Sequence, residues 1–321
     1  MGGGQGPAAV GFVYHQDCLA HEAGPGHPER PERVRAIRDH LERCGLLARL
    51  LAVRPDPCPV ERIARVHDPA YIEALRRACR RAPARLDPDT GVSEGSWRAA
   101  LLAAGGALAA CDVVVSGRAR AAFSCCRPPG HHAERGRAMG FCLFNNAAIA
   151  ARYLQEEHGL ARILIADWDV HHGNGTQHIF EADDTVLYFS THQAPFYPGS
   201  GGRGERGRGA GNGLTLNVPL PAGSGDREYV RAFRAILRPA ADHFRPDAIL
   251  ISAGFDAHRD DPLAGMRVSE AGYRDMTVVL REAAEEHCDG RIVSILEGGY
   301  DLRALGTSTE AHLRALGASG D

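Results

Sequence analysis

Apolar residues along this chain fall into short, nearly continuous runs that end at polar or glycine-rich turns, with longer amphipathic stretches between them. The short runs read as strands at 10–14, 121–125, 162–167, 185–190, 214–218, 247–252 and 291–296, and their lack of alternation is that of strands covered on both faces. Helices are expected at 28–44, where Val34, Ile37, Leu41 and Cys44 form one stripe, then at 70–81 and 96–110, and from an Asn145 cap to Gly159. Further helices are expected near 226–244, 269–288 and 301–316. Strand and helix alternate throughout, which predicts the α/β class with a mainly parallel sheet between helical layers. No internal repeat is visible, so residues 10–321 are expected to form one domain after a glycine-rich, disordered tail at 1–9. The stretch 83–95 has the composition of a loop at the mouth of a site, and 199–213 that of a mobile surface loop.

Composition narrows the chemistry. All 37 basic side chains are arginine; with no lysine, Schiff-base catalysis and a lysine-bearing phosphate loop are excluded. A net charge of -3 argues against direct nucleic-acid binding. The nine cysteines contain no C-x-x-C pair, so reduced thiols and a cytoplasmic location are expected. No charged segment leads into an apolar stretch and no run looks long enough to span a bilayer, so no membrane role is expected.

The stretch Asp167-Trp-Asp169-Val-His171-His172-Gly-Asn174-Gly follows the apolar run Ile163 to Ala166. In extended chain, residues two apart share a face, so Asp167, Asp169 and His171 can converge while Trp168 and Val170 turn to packing. Three more apolar runs end in the same way: one leads to Arg127-Pro-Pro-Gly-His131-His132, one to Ala253-Gly-Phe-Asp256-Ala-His258, and one to Glu297-Gly-Gly-Tyr300. Parallel α/β sheets bind ligands at the carboxyl ends of their strands, and four such clusters are more than packing requires.

The segments RPPGHHAE (127–134), DWDVHHGNGT (167–176), SAGFDAH (252–258) and EGGY (297–300) resemble the signature segments of the histone deacetylase superfamily, in the wording of its class II branch. The match runs in order from about Gly11 to Asp301 and takes in GPGHPERPERV near the start and FYPGSG at 196–201. The arginine-only composition suggests a bacterial member. The resemblance implies the arginase/deacetylase fold, a single three-layer domain with a central, mostly parallel sheet of about eight strands. It implies a metal-dependent amidohydrolase that removes acetyl or other acyl groups from lysine side chains of peptides, or from other acylated amines.

Asp169, His171 and Asp256 fit a catalytic metal with coordination left open, and the resemblance carries the same three over as zinc ligands. Two carboxylates and one imidazole are a hard set, which leaves Fe2+ open as well. Such an ion would polarise an amide carbonyl and activate water, with imidazoles near their working pKa to move the proton. The resemblance makes His132 the general base and then acid, with His131 an orienting partner; Asp167 would hold His131, and Asn174 would hold His132. Tyr300 would donate to the oxyanion. Phe141 and Tyr197, with Gly140, match the walls of an acyl-lysine channel, and Asp89 would hold the substrate backbone. The carbonyls of Asp167, Asp169 and His171, with Ser190, match a monovalent-cation (K+) site in relatives; His172, His192 and His258 read as structural. Polyamine-selective eukaryotic relatives carry a glutamate seven residues beyond the metal-binding aspartate. Here that position is Leu263, and a leucine cannot pair with a second ammonium, although Asp260 and Asp261 stand close in sequence. Two other readings are a ureohydrolase with two manganese ions, for which the chain lacks the further carboxylate, and an inactive acyl-lysine binding scaffold, which loss of Tyr300, His132 or a ligand would have favoured.

Overall fold

The computed structural model describes residues 8–318. Its strands are β1 (Ala8–Val13), β2 (Leu51–Val53), β3 (Ala84–Arg85), β4 (Gly91–Val92), β5 (Ala119–Ser124), β6 (Ile163–Asp167), β7 (Val186–Gln193), β8 (Thr215–Leu220), β9 (Ala248–Ala253) and β10 (Ile292–Leu296). Its helices are α1 (Glu32–Arg43), α2 (Val60–Ile63), α3 (Pro69–Arg80), α4 (Ser96–Val115), α5 (Asn146–His158), α6 (Asn174–Phe180), α7 (Asp226–Ala232), α8 (Arg238–Phe244), α9 (Glu270–His287) and α10 (Leu302–Leu313). Eight strands form one sheet in the order β2-β1-β5-β10-β9-β6-β7-β8, and every ladder in it is parallel. Strands β5, β6, β7, β9 and β10 are almost wholly buried because each face of the sheet carries its own core. One core joins Val34, Ile37 and Leu41 of α1 to Met276, Val279 and Leu280 of α9; the other joins Leu75 of α3, Ala104 and Cys111 of α4, and Ile149 and Leu154 of α5. The result is the three-layer architecture expected.

Several boundaries differ from the sequence pattern, each for a local reason. β1 begins at Ala8, inside the stretch expected to be disordered, because its backbone pairs with β5 from there on, with Ala8 opposite Ala119; residues 1–7 lie outside the described residues. α4 runs on to Val115, since Cys111, Val113 and Val114 are also buried. That helix corrects the expectation that no run could span a bilayer: its 20 residues are long and apolar enough. It is apolar nearly all round because it packs against β5, α5 and β1 within the fold. α7 and α8 are joined by one π-turn, Phe233–Leu237, just before Pro239, which lacks the N–H that a regular α-helical turn would use. The stretch 83–95 closes on itself through the small β3–β4 hairpin, and 199–213 holds one 3-10 turn, Gly209–Gly211. Asn145 caps α5 by accepting from Ala148 N, and Gly159 ends it in left-handed conformation.

Two buried histidines give the fold a pH dependence. His312 of α10 bonds Thr277 Oγ1 (2.7 Å) and Ser294 Oγ (2.8 Å), and burial pushes its pKa down to about 3. His67, which faces Glu134 O and Asn145 N (both 2.9 Å), is pushed down to about 4, again by burial. Both are neutral in the fold and titrate near 6.5 when unfolded. Their contribution is therefore complete above pH 6.5 and declines as pH falls toward 4 and then 3, because only the unfolded chain takes up the protons. Urea unfolding of the metal-depleted protein should show stability falling over that window, with a shallower slope in His312→Asn. A flat profile, or an unchanged slope in the variant, would contradict this.

Candidate metal centre and active site

The four motif segments leave the carboxyl ends of β5, β6, β9 and β10, and in the sheet these are four adjacent strands, ordered β5-β10-β9-β6. The turns after them therefore meet at one place. Asp169 and Asp256 are buried there, with His171 nearly so. His171 Nδ1 lies 3.0 Å from Asp169 Oδ1 and 3.2 Å from Asp256 Oδ2, and the donor atoms of all three lie within 4.8 Å of one another. Trp168 and Val170 point the other way, into the core, where the Trp168 ring meets His312 edge-on at 5.2 Å. The alternation expected from the sequence thus continues past the end of β6.

These groups fit a divalent cation. Asp256 Oδ1 accepts from Val170 N (2.9 Å), while its buried Oδ2 accepts no hydrogen bond. Asp169 Oδ2 accepts from Gly298 N at 2.8 Å. A Cβ at Gly298 would collide with both carboxylates, so glycine is what lets this turn close over them. Two adjacent buried carboxylates call for positive charge. Burial opposes charge on His171, yet Asp169 and Asp256 raise its pKa to about 10. Burial and the charge of Asp169 push the Asp256 carboxyl up.

Two imidazoles stand beside this centre, with ring centroids 4.0 Å apart and different partners. His131 Nδ1 lies 3.0 Å from Asp167 Oδ2, which also accepts from Tyr188 Oη at 3.0 Å. His132 Nδ1 lies 2.7 Å from Asn174 Oδ1. The Asn174 amide is oriented by Glu134, whose carboxylate can only accept and takes Nδ2 at 2.6 Å; Oδ1 therefore faces His132. His132 thus carries its proton on Nδ1 and leaves Nε2 free to act, while His131 directs an N–H from Nδ1 to Asp167. Burial opposes charge on either ring, but Asp169 and Asp167 raise His131 to about 10, whereas burial and the neighbouring His131 and His171 hold His132 well below its usual value.

A cavity of about 250 Å³ opens onto these groups, lined by His131, His132, His171, Gly298 and Tyr300 at its base and by Asp89, Pro129, Gly140, Phe141, Tyr197 and Leu263 toward its mouth. Every substrate-wall residue expected from the sequence is among them. Gly140 (φ 56°) and Phe141 (φ 67°) are both left-handed, and a Cβ on Gly140 would strike the His132 ring, so glycine is required where the wall crosses the imidazole. Tyr197, 37% exposed, stands on the rim, and Phe196 stacks on His171 at 5.3 Å. Phe141 meets Tyr300 edge-on at 5.9 Å. Asp261 is turned away from the cavity and accepts from Tyr300 N (2.7 Å) and Leu263 N (3.0 Å); Asp260 is not part of the lining either. His172, His192 and His258 bond Ser200 and Gln177, Ser190 and Gly201, and Asp260 N respectively, as structural histidines would.

Sequence reasoning missed the buried polar frame behind the site. Arg33 donates from Nε to Gly299 O (2.7 Å) and from Nη2 to Glu297 O, and its guanidinium lies 4.9 Å from the Tyr300 ring centre. Glu29 binds both Arg33 and Arg127; burial opposes its charge, but Arg127 and His21 hold its carboxyl well below the usual range. Glu297 Oε2 accepts from Gly130 N (2.6 Å) and His131 N (3.1 Å), which ties the β10 turn to the β5 turn. His27 packs edge-on against Phe141 at 4.5 Å and lies 3.1 Å from Asp89 O. The signal available was the HPER stretch at 27–30, charged residues in a run that also matched the superfamily.

Known proteins resemble this chain along most of its length. The Histone deacetylase domain family matches residues 27–316. The chain is 42% identical over 295 residues to a "Probable deacetylase" of Archaeoglobus fulgidus, covering 91% of this chain and 82% of that protein. It is 41% identical over 307 residues to the "Histone deacetylase-like amidohydrolase" of Pseudomonas aeruginosa, covering 90% and 81%. It is also 38% identical over 318 residues to the human "Polyamine deacetylase HDAC10", covering 92% of this chain and 46% of the human protein. The crystal structure of the HDA15 HD domain superposes with a TM-score of 0.92 at 40% identity, covering 96% of this chain and 88% of that one. At that identity and coverage the arginase/deacetylase fold is shared along the whole sheet, and the chain belongs to the histone deacetylase family.

Proposed function

We propose that the protein is a metal-dependent amidohydrolase that removes acetyl or related acyl groups from lysine side chains. The observation that carries this reading is the meeting of Asp169, His171 and Asp256 with two differently partnered imidazoles and a tyrosine at the base of one narrow cavity. The relatives named for deacetylation support it. Zn2+ suits the three-ligand set, and Fe2+ is the alternative for donors this rich in carboxylate. When bound, the ion supplies a Lewis acid for the amide carbonyl and lowers the pKa of water from ~16 toward ~7.

The chain's own residues do the rest. His132 Nε2, free because Nδ1 faces Asn174, takes the proton from the attacking water and returns it to the departing amine. His131, held by Asp167, supplies positive charge beside the reacting carbonyl and fixes the approach of the turn. Tyr300 Oη donates to the oxygen that becomes negative as water adds. Phe141 and Tyr197 flank the lysine stem and exclude water from it, while Asp89 at the mouth accepts from the substrate backbone. A K+ ion at the carbonyls of Asp167, Asp169 and His171 is a further part of this reading, supported by Ser190 standing opposite Asp167 in the β6–β7 ladder.

The second reading, acetylpolyamine hydrolysis, draws on the human relative's name. Against it stands Leu263 in the cavity wall, with Asp261 turned inward to the backbone and Asp260 outside the lining, which leaves Asp89 as the carboxylate among the described lining residues. The expected result is a higher kcat/KM for an acetyl-lysine peptide than for N-acetylputrescine or N8-acetylspermidine. A ten-fold preference for either polyamine, about 1.4 kcal/mol, would overturn the substrate assignment.

A further inference from the structure

Among the described residues, the group His40, Cys44 and Glu310 lies away from the active site and combines three donor types that bind transition metals. His40 lies in the last turn of α1 and Cys44 caps it one turn later, while Glu310 faces both from α10; the donor atoms lie within 4.8 Å of one another. The two helices are in close contact here, for a Cβ at Gly306 of α10 would come within 2.8 Å of His40 Cβ. His40 Nε2 lies 2.6 Å from Glu310 Oε2. The other oxygen, Oε1, is held by Arg314 Nε and Nη2, both at 2.8 Å, so Arg314 turns the carboxylate until Oε2 faces the histidine. Cys44 is the exposed member of nine free cysteines, and the other eight are buried. Its thiol makes one long contact, 3.5 Å to Leu41 O, which leaves the sulfur available.

We propose that His40, Cys44 and Glu310 form a second metal site, for a divalent ion of the zinc class, with water as the fourth ligand. Imidazole, thiolate and carboxylate together match the softness and charge of such an ion, and the set differs from the sulfur-free one in the active site. Ligand bonds of ~2.0–2.3 Å place tetrahedral donors roughly 3.3–3.8 Å apart. The ion would therefore part His40 from Glu310 by about 1 Å, and the thiol would lose its proton on binding. The consequence is mechanical. α1 also carries Arg33, which holds the Glu297 and Gly299 carbonyls, and α10 starts two residues after Tyr300, so the ion fastens together the two helices behind the catalytic turn.

Titration of the metal-stripped protein with Co2+ separates the two sites, because only a cysteine ligand gives a thiolate-to-cobalt charge-transfer band in the near ultraviolet. The expected result is two equivalents of Co2+ per chain, one of them accompanied by the band. Cys44→Ser should bind one equivalent without the band, Glu310→Gln should weaken the band-forming equivalent at least ten-fold, and Asp256→Asn should lose the other equivalent and keep the band. A single equivalent in the wild type, no band, or a band that survives Cys44→Ser would overturn the site. None of these readouts depends on turnover.

Discussion

Replacing Tyr300 with phenylalanine is expected to lower kcat by about 100- to 1000-fold with little change in KM, the usual loss when one oxyanion donor is removed. The phenyl ring keeps the edge-on contact with Phe141 and remains beneath the Arg33 guanidinium, so the walls that hold the acyl-lysine stem are unchanged. Tyr300 is 8% exposed and lines the cavity, where a donor is worth more than in water. Metal content should stay at the wild-type level, because Tyr300 is not among the three proposed ligands. Steady-state kinetics with an acetyl-lysine peptide decide the point, and near-normal kcat would remove Tyr300 from the mechanism.

The other large effect is expected at Asp256. Its Oδ1 fixes Val170 N, and its unpaired Oδ2 faces His171 and Asp169, so deleting the side chain removes one of the three proposed ligands and leaves the Asp169–His171 pair alone. Asp256→Ala should fall well below one catalytic ion per chain and lose turnover with it. Asp256→Asn keeps the size of the side chain and an acceptor for Val170 N but gives up the charge. It should fold as the wild type does, by circular dichroism, and still lose the ion. Full occupancy with unchanged turnover in either variant would sink the ligand assignment.

How much of this could be read from the chain follows from the range of the interactions. Strand ends were legible where an apolar run stopped at Asp167, Arg127, Asp256 or Glu297, because burial on both faces leaves no alternation to confuse. β2 was not: three residues at a sheet edge, half-exposed, carry too short a pattern. Spacing two apart placed Asp169 and His171 correctly, since that geometry is local. That the four motif strands are neighbours, β5-β10-β9-β6, is a matter of topology, which no local pattern encodes. The partners of His131 and His132 came from the resemblance; the structure adds Glu134, whose hold on the Asn174 amide decides which way Asn174 faces. The roles of Glu29 and Arg33 escaped notice because a charged stretch at 27–35 carries no local sign of burial, while the fold pairs Glu29 with Arg127 across 98 residues of chain and Arg33 with Gly299 across 266.

The central claim is that one divalent ion at Asp169, His171 and Asp256 drives amide hydrolysis in this cavity. The direct measurement is acetate release from an acetyl-lysine peptide by the purified Cys44→Ser protein, stripped of metal and then titrated with Zn2+ or, without oxygen, Fe2+. No turnover is expected in the stripped protein, with recovery that saturates at one equivalent of ion per chain. Turnover that survives stripping, or none with either ion at full occupancy, would contradict it.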